Sequence, residues 1–181
     1  FGLERILTKW GVLVSDSVVS DPANAMNSIK MAPGADVTIG AFSKHPVVAG
    51  LYGFNLNLLA PRVVGPMKTQ DNGADAPRVD VLFATADTAR LVNNPGAALK
   101  SYPLAVAVEQ SGLRGVVTGR GTTRMVIVGD SFFLANDPMK LLANRDFANA
   151  ALNWLLDRPQ YTEGIGPRPM TEYRMTLTRA Q

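Results

Sequence analysis

The stretch "RMVIVGDSFFLAND", residues 124–137, decides how the chain is read. Met125 to Val128 are apolar without interruption, and such a run belongs to a strand covered on both faces rather than one with a wet side. It predicts a central strand of an α/β sheet. The run then meets Gly129, Asp130 and Ser131, residues of the kind that turn a chain at a strand end. Ligands of open α/β sheets gather at that carboxyl edge, so the triplet is either punctuation of the fold or part of a site. As punctuation, Gly129 permits a tight turn while the Asp130 and Ser131 side chains bond to backbone amides. As a site, Asp130 would serve as base or cation ligand and Ser131 as nucleophile or donor. The chemistry favours punctuation. A serine nucleophile needs a base, His45 is the single histidine, and no Gly-x-Ser-x-Gly pattern surrounds Ser131.

Downstream, Asn136, Asp137, Asn144, Arg145 and Asp146 crowd the same turn. Arg145 is expected to pair with Asp130 or Asp137 and clamp the strand end to the start of the next helix. The competing reading makes Arg145 and the helix-start amides an anion site. Asp130, Ser131, Asn136, Asn144 and Arg145 are therefore the candidates for contact with a ligand or partner, and no set of residues qualifies as catalytic. The enzymatic alternative is a hydrolase or carbohydrate-active domain using Asp130 with Asp137 or Asp146, which needs two carboxylates about 5 to 9.5 Å apart. No metal is expected: the three aspartates lack the spacing of a calcium loop, and zinc wants more than one histidine in a chain without cysteine. "GRGTTR", 119–124, lacks the glycine spacing of a nucleotide fingerprint and reads as a hairpin tip, so no cofactor is expected.

The clearest helix follows. Asn144 is its expected N-cap, Phe147, Ala150, Ala151, Trp154 and Leu155 recur at helical spacing, and Pro159 stops it. Upstream, "LERILTKW" predicts a packing helix over 3–10 ended by Gly11. "GVLVSDSVVSD" reads as two short strand pieces broken at Ser15–Ser17, Asp21-Pro22 and Pro33-Gly34 as turns, and 47–51 as a short helix or loop after His45-Pro46. His45 is read as a turn residue and Trp10 and Trp154 as core. A strand over 54–64 bends near Pro61, which suits an edge, and 67–78 reads as a surface loop. Strands are expected at 79–84 and 103–109, the first followed by a turn or short helical segment with Thr85, Asp87 and Thr88 as candidate caps, the second by a hairpin return through 119–121.

These elements make a β-rich α/β domain with a mixed sheet. Two helices are too few to cover both faces of a doubly wound sheet, so further elements are expected upstream of Phe1 or from a second chain, and the chain reads as a fragment of a larger domain. The domain covers 1–158; residues 159–181, which begin with three prolines and two glycines by 170, read as a linker or tail, with "TEYRMTLT" as a final edge strand or extension. At 46% apolar residues the chain buries an ordinary core. The formal charge of +3 comes from 18 basic and 15 acidic residues spread without a basic stripe, which argues against nucleic acid. No cysteine is present to form disulfides or thiolate sites, and no stretch reaches the ~20 apolar residues of a membrane span.

The order "LERILTKWGVLV", "DPANA", "KHPVVAGL", "VLFATADTARLV", "YPLAVAVE" and "RMVIVGDSFFLAND…NRDFANAALNWLLDRP" resembles the auxiliary component of ABC transporters related to the gliding-motility protein GldG. The resemblance covers residues 3–158 and is most specific in its closing third. It implies a partial class I glutamine-amidotransferase-like (flavodoxin-like) sheet domain without glutaminase activity, in keeping with a chain that has no cysteine nucleophile. The family pattern Gly-Asp-Ser-x-Phe-Leu falls on Gly129, Asp130, Ser131, Phe133 and Leu134, and its Asn-Arg-Asp on Asn144, Arg145 and Asp146. Further implications are ABC transporter membrane and ATPase subunits as partners, a homo-oligomer among the options, an extracytoplasmic (periplasmic) position and a membrane anchor outside this chain.

Overall fold

A three-stranded sheet forms the middle of the molecule, with β7 (Pro103–Gln110) lying between β5 (Arg78–Ala84) and β8 (Thr123–Val128) and antiparallel to both. The computed structural model describes residues 2–26, 34–68, 76–94, 96–110 and 122–158. The expected hairpin tip at 119–121, Pro33, the 159–170 linker and "TEYRMTLT" lie outside the described residues. Leu104 to Val108 of β7 are all at most 2% exposed, so β7 is the central strand. Among the described residues β8 lies at the margin of this sheet, not at the centre expected for it. Met125 and Ile127 of β8 pack into one apolar cluster and Val126 and Val128 into the other, which explains the unbroken apolar run. Such a run records two covered faces; it carries no information about a neighbour on each side. Among the described residues β8 pairs with β7 alone.

One face of this sheet is covered by β1 (Val12–Ser20), paired antiparallel with β4 (Arg62–Pro66), and by α1 (Leu3–Lys9). Val12 and Val64 close on Val106 and Val108, with Leu7 and Trp10 packed against them. The two expected strand pieces are one strand of nine residues whose register shifts between Val14 and Val18. Ser15-Asp16-Ser17 thus makes an irregularity inside a strand rather than a break. Gly11 leaves α1 with φ 73°, a left-handed conformation suited to glycine. Packing of α1 is one-sided, since Leu3 and Ile6 remain 63% and 55% exposed.

The other face holds the larger cluster. β2 (Asp36–Ile39) and β3 (Leu56–Leu59) pair antiparallel, and the single turn α2 (Pro46–Ala49) and the longer α3 (Asn144–Leu155) pack beside them. Phe83 and Phe147 meet edge to face at 5.3 Å, in the range where the ring quadrupoles attract. The strand expected over 54–64 is two strands in two different sheets, because Ala60, at φ 46°, and Pro61 redirect the chain from β3 to β4. The small β6 (Arg90–Leu91) pairs with the end of β1, and no parallel pair occurs among the described residues. Of the turn or short helical segment expected after β5, the structure has a turn at Asp87 and Thr88, and Thr85 accepts the Tyr102 amide at 2.9 Å. Among the described residues no helix is long and apolar enough to cross a membrane.

Candidate functional site

At the end of β8 the chain is held by Gly129. Its amide donates to the Leu104 carbonyl at 2.8 Å and its own carbonyl accepts the Arg62 amide at 2.9 Å. A Cβ at this position would lie 2.0 Å from the Arg62 carbonyl oxygen, so only a residue without a side chain lets β8 reach the start of β4. That approach brings Asp130 to β3.

Asp130 is 8% exposed. One carboxylate oxygen accepts the Leu59 amide at 2.8 Å and the other accepts the Phe132 amide at 2.6 Å. Burial raises its pKa above the ordinary carboxylate value, opposed by the amides of Leu59, Phe132 and Phe133, which stabilise the charged form. Fourteen residues on, Asn144 is fully buried. Its Oδ1 accepts the Asn57 amide at 2.9 Å, and its Nδ2 donates to the carbonyls of Asn57 and Pro138, both at 2.9 Å. The Ala143 amide donates to the Asn55 carbonyl at 3.0 Å. Residues 55, 57 and 59 alternate along one strand, and alternate residues of a strand aim their backbone groups to the same side. Asn144, Asp130 and one amide therefore occupy the free edge of β3 as a neighbouring strand would.

The five sequence candidates divide in two. Asp130 and Asn144 converge on β3, whereas Ser131, Asn136 and Arg145 are exposed. Two expectations are corrected. Asn144 is the first residue of α3 and not its cap: the N-cap position is Ala143, and the Asn144 amide side chain turns away to β3. Arg145 makes no ion pair among the described residues; the helical turn that aims Asn144 inward aims Arg145 outward, so the strand end is clamped by Asp130 itself. Asp137 pairs with Lys140 at 3.3 Å on the surface, and Asp146 sits in the first turn of α3, where a negative charge suits the helix dipole.

Two groupings went unread in the sequence. Asp21 is fully buried, accepting from Asn24 Nδ2 at 3.0 Å and from the Thr88 hydroxyl at 2.8 Å, which joins the end of β1 to the turn before β6. The Asp-Pro-x-Asn spacing signals the local half of this link, and nothing local signals Thr88. At the far end of α3, Trp154 stands between His45, with ring centroids 5.2 Å apart, and the guanidinium of Arg124, 5.3 Å from its ring. Arg124 also bonds Glu109 at 3.1 Å and Asp157 at 2.6 Å. His45 Nδ1 accepts the Val47 amide at 3.3 Å and caps α2. Burial lowers the His45 pKa. Among the described residues no three His, Asp or Glu side chains gather as a metal site.

No family model matches the chain, and no curated protein matches it. Among solved structures it is similar to the mmIFT52 N-terminal domain, with a TM-score of 0.55 at 11% identity, over 85% of this chain and 57% of that one. The chain thus spans little more than half of that domain's length, and at this identity the likeness is one of fold.

Proposed function

We propose that the chain is a non-enzymatic binding domain of an ABC-type export or gliding-associated complex, part of an amidotransferase-like α/β unit on the extracytoplasmic side of a membrane. The complex and its location come from the family resemblance of the sequence. The observation that carries the non-enzymatic part is the Asp130 carboxylate, which is 8% exposed and turned onto the Leu59 and Phe132 amides, one at each oxygen. A carboxylate acting on a substrate must offer an oxygen to it. The Asn144 amide is likewise occupied at both its atoms. What the same turn leaves exposed is Ser131, Asn136 and Arg145, polar groups suited to a partner's surface. The test is quantitative recovery of the tagged protein from detergent-solubilised native membranes. Near-stoichiometric ABC transporter membrane and ATPase subunits, depleted by Arg145→Glu in a folded protein, are the expected result. Absence of those subunits, or turnover of a glycan or ester that Asp130→Asn abolishes, would overturn the reading.

A further inference from the structure

The single turn α2 is held largely by His45. The His45 carbonyl accepts the amides of Val48 at 3.0 Å and Ala49 at 3.1 Å, and the ring Nδ1 accepts the Val47 amide at 3.3 Å. Amides that a helix start leaves without an acceptor thus find theirs in one residue. His45 is itself fixed from behind, its amide donating to Ser43 Oγ at 3.3 Å. Beneath the turn, Val47 and Val48 are 1% and 0% exposed and belong to the larger cluster. Beside it, the His45 ring meets Trp154 of α3 edge to face at 5.2 Å, and Trp154 carries the Arg124 guanidinium. One imidazole is therefore both the cap of α2 and its contact with α3.

An imidazole that accepts at Nδ1 is neutral and keeps its hydrogen at Nε2. A proton taken from water onto Nδ1 fills the lone pair on which the Val47 amide rests, and leaves two N–H groups facing each other. The charged groups around the ring come from several elements. Asp80 and Arg78 of β5 pair at 2.8 Å, and Glu109 of β7 pairs at 3.1 Å with Arg124 of β8, which also holds Asp157 beyond α3. Lys44 directly precedes His45, and α2 has no ionisable side chain of its own. Burial depresses the His45 pKa, Asp80 and Glu109 raise it, and Arg78 lowers it. Both carboxylates already have an arginine, so water solvates the imidazolium better than its folded surroundings do.

We propose that His45 is an acid-operated latch on α2: a proton at Nδ1 releases the Val47 amide and loosens the turn from Trp154 and α3. Magnitudes confine the response. Loss of one cap shifts a local equilibrium by about tenfold, whereas two buried valines hold the turn far more strongly. Acid therefore makes α2 open more often and leaves the sheet folded, as local opening does elsewhere in proteins. Each opening unseals the flank of the larger cluster where Val47 and Val48 lie. The latch is independent of the transporter reading, since Trp154 and His45 stand at the opposite end of α3 from Asn144 and Arg145.

Amide exchange read by NMR, from neutral pH down through the titration of the His45 ring, tests it. Protection corrected for the intrinsic pH dependence of exchange is expected to fall about tenfold at Val47, Val48 and Ala49. The fall should share the midpoint of the His45 ring resonances, with the Trp154 indole resonance moving in step and Leu104 to Val108 of β7 keeping their protection. His45→Asn, which retains an acceptor and takes up no proton, is expected to hold Val47 protection through the same range, and His45→Ala to show the low value at every pH. Val47 protection that stays level while the ring titrates overturns the proposal, as does a fall that persists in His45→Asn. A ring that stays neutral until β7 loses protection overturns it as well. Should a variant fail to fold, coincidence of the ring and Val47 midpoints in the wild type decides alone.

Discussion

The edges of β3 and β8 are joined by two residues of chain, Gly129 and Asp130, yet they are treated in opposite ways. Along β3, groups at 55, 57 and 59 are met by an amide, an asparagine and an aspartate. Along β8, groups at Arg124, Val126 and Val128 meet no strand among the described residues. Closing an edge thus does not require another strand; it requires donors and acceptors at the two-residue spacing of the ladder. Polar side chains buried at a strand margin can be part of the fold even when they look like a site.

The sharpest way to break the comparison is at the joint. Gly129→Ala forces a Cβ to within 2.0 Å of the Arg62 carbonyl and separates β8 from both β4 and β3. A loss above about 4 kcal/mol, or failure to fold, is expected in a chemical denaturation series. Next comes Asn144→Leu, which keeps the branched shape of the side chain and strands the Asn57 amide and carbonyl in the interior. About 2 to 4 kcal/mol should be lost, since each buried backbone group left unpaired costs roughly 1 to 3. The same substitution opens the β3 edge, so the variant should also gain concentration-dependent association that sedimentation can detect; a variant that is destabilised but remains unassociated would show that an open margin alone does not recruit a partner.

How far the sequence foretold this can be judged element by element. The helix at Phe147–Trp154, the strands at 79–84 and 103–109 and the Asp130 contacts to backbone amides were legible, because periodicity and turn chemistry act over a few residues. Edge and centre were not. An apolar run such as Met125–Val128 reports what lies above and below a strand, while its lateral neighbours are set by pairings between distant segments. Asn144 was misread for a related reason. Asparagine before an apolar helical stripe has the pattern of a cap, and its true partner, Asn57, stands 87 residues away. Arg145 followed the same logic: proximity to Asp130 in sequence suggested a pair that the helix turn separates.

The smallest expected effect lies at the other end of α3. Burial lowers the His45 pKa from 6.5, with Asp80 and Glu109 raising it and Arg78 lowering it further. The unfolded chain then takes up the proton first, so stability from neutral His45 is full above about pH 6.5 and is lost as pH falls toward the depressed folded value. His45→Asn keeps an acceptor for the Val47 amide but cannot titrate. Its unfolding midpoint should vary less than that of wild type on acidification through this range; an unchanged pH profile would remove His45 as the source.

The central claim is that Asp130 and Asn144 stand in for a strand on β3. Amide hydrogen exchange at Leu59 in wild type and in Asp130→Ala tests it most directly, read beside the unfolding midpoint. The account predicts slow exchange at Leu59 in wild type, selective acceleration at Leu59 and Phe132 in the variant, and a stability loss of about 1 to 3 kcal/mol. Unchanged Leu59 exchange with an unchanged midpoint would contradict it and return Asp130 to the groups available for a ligand.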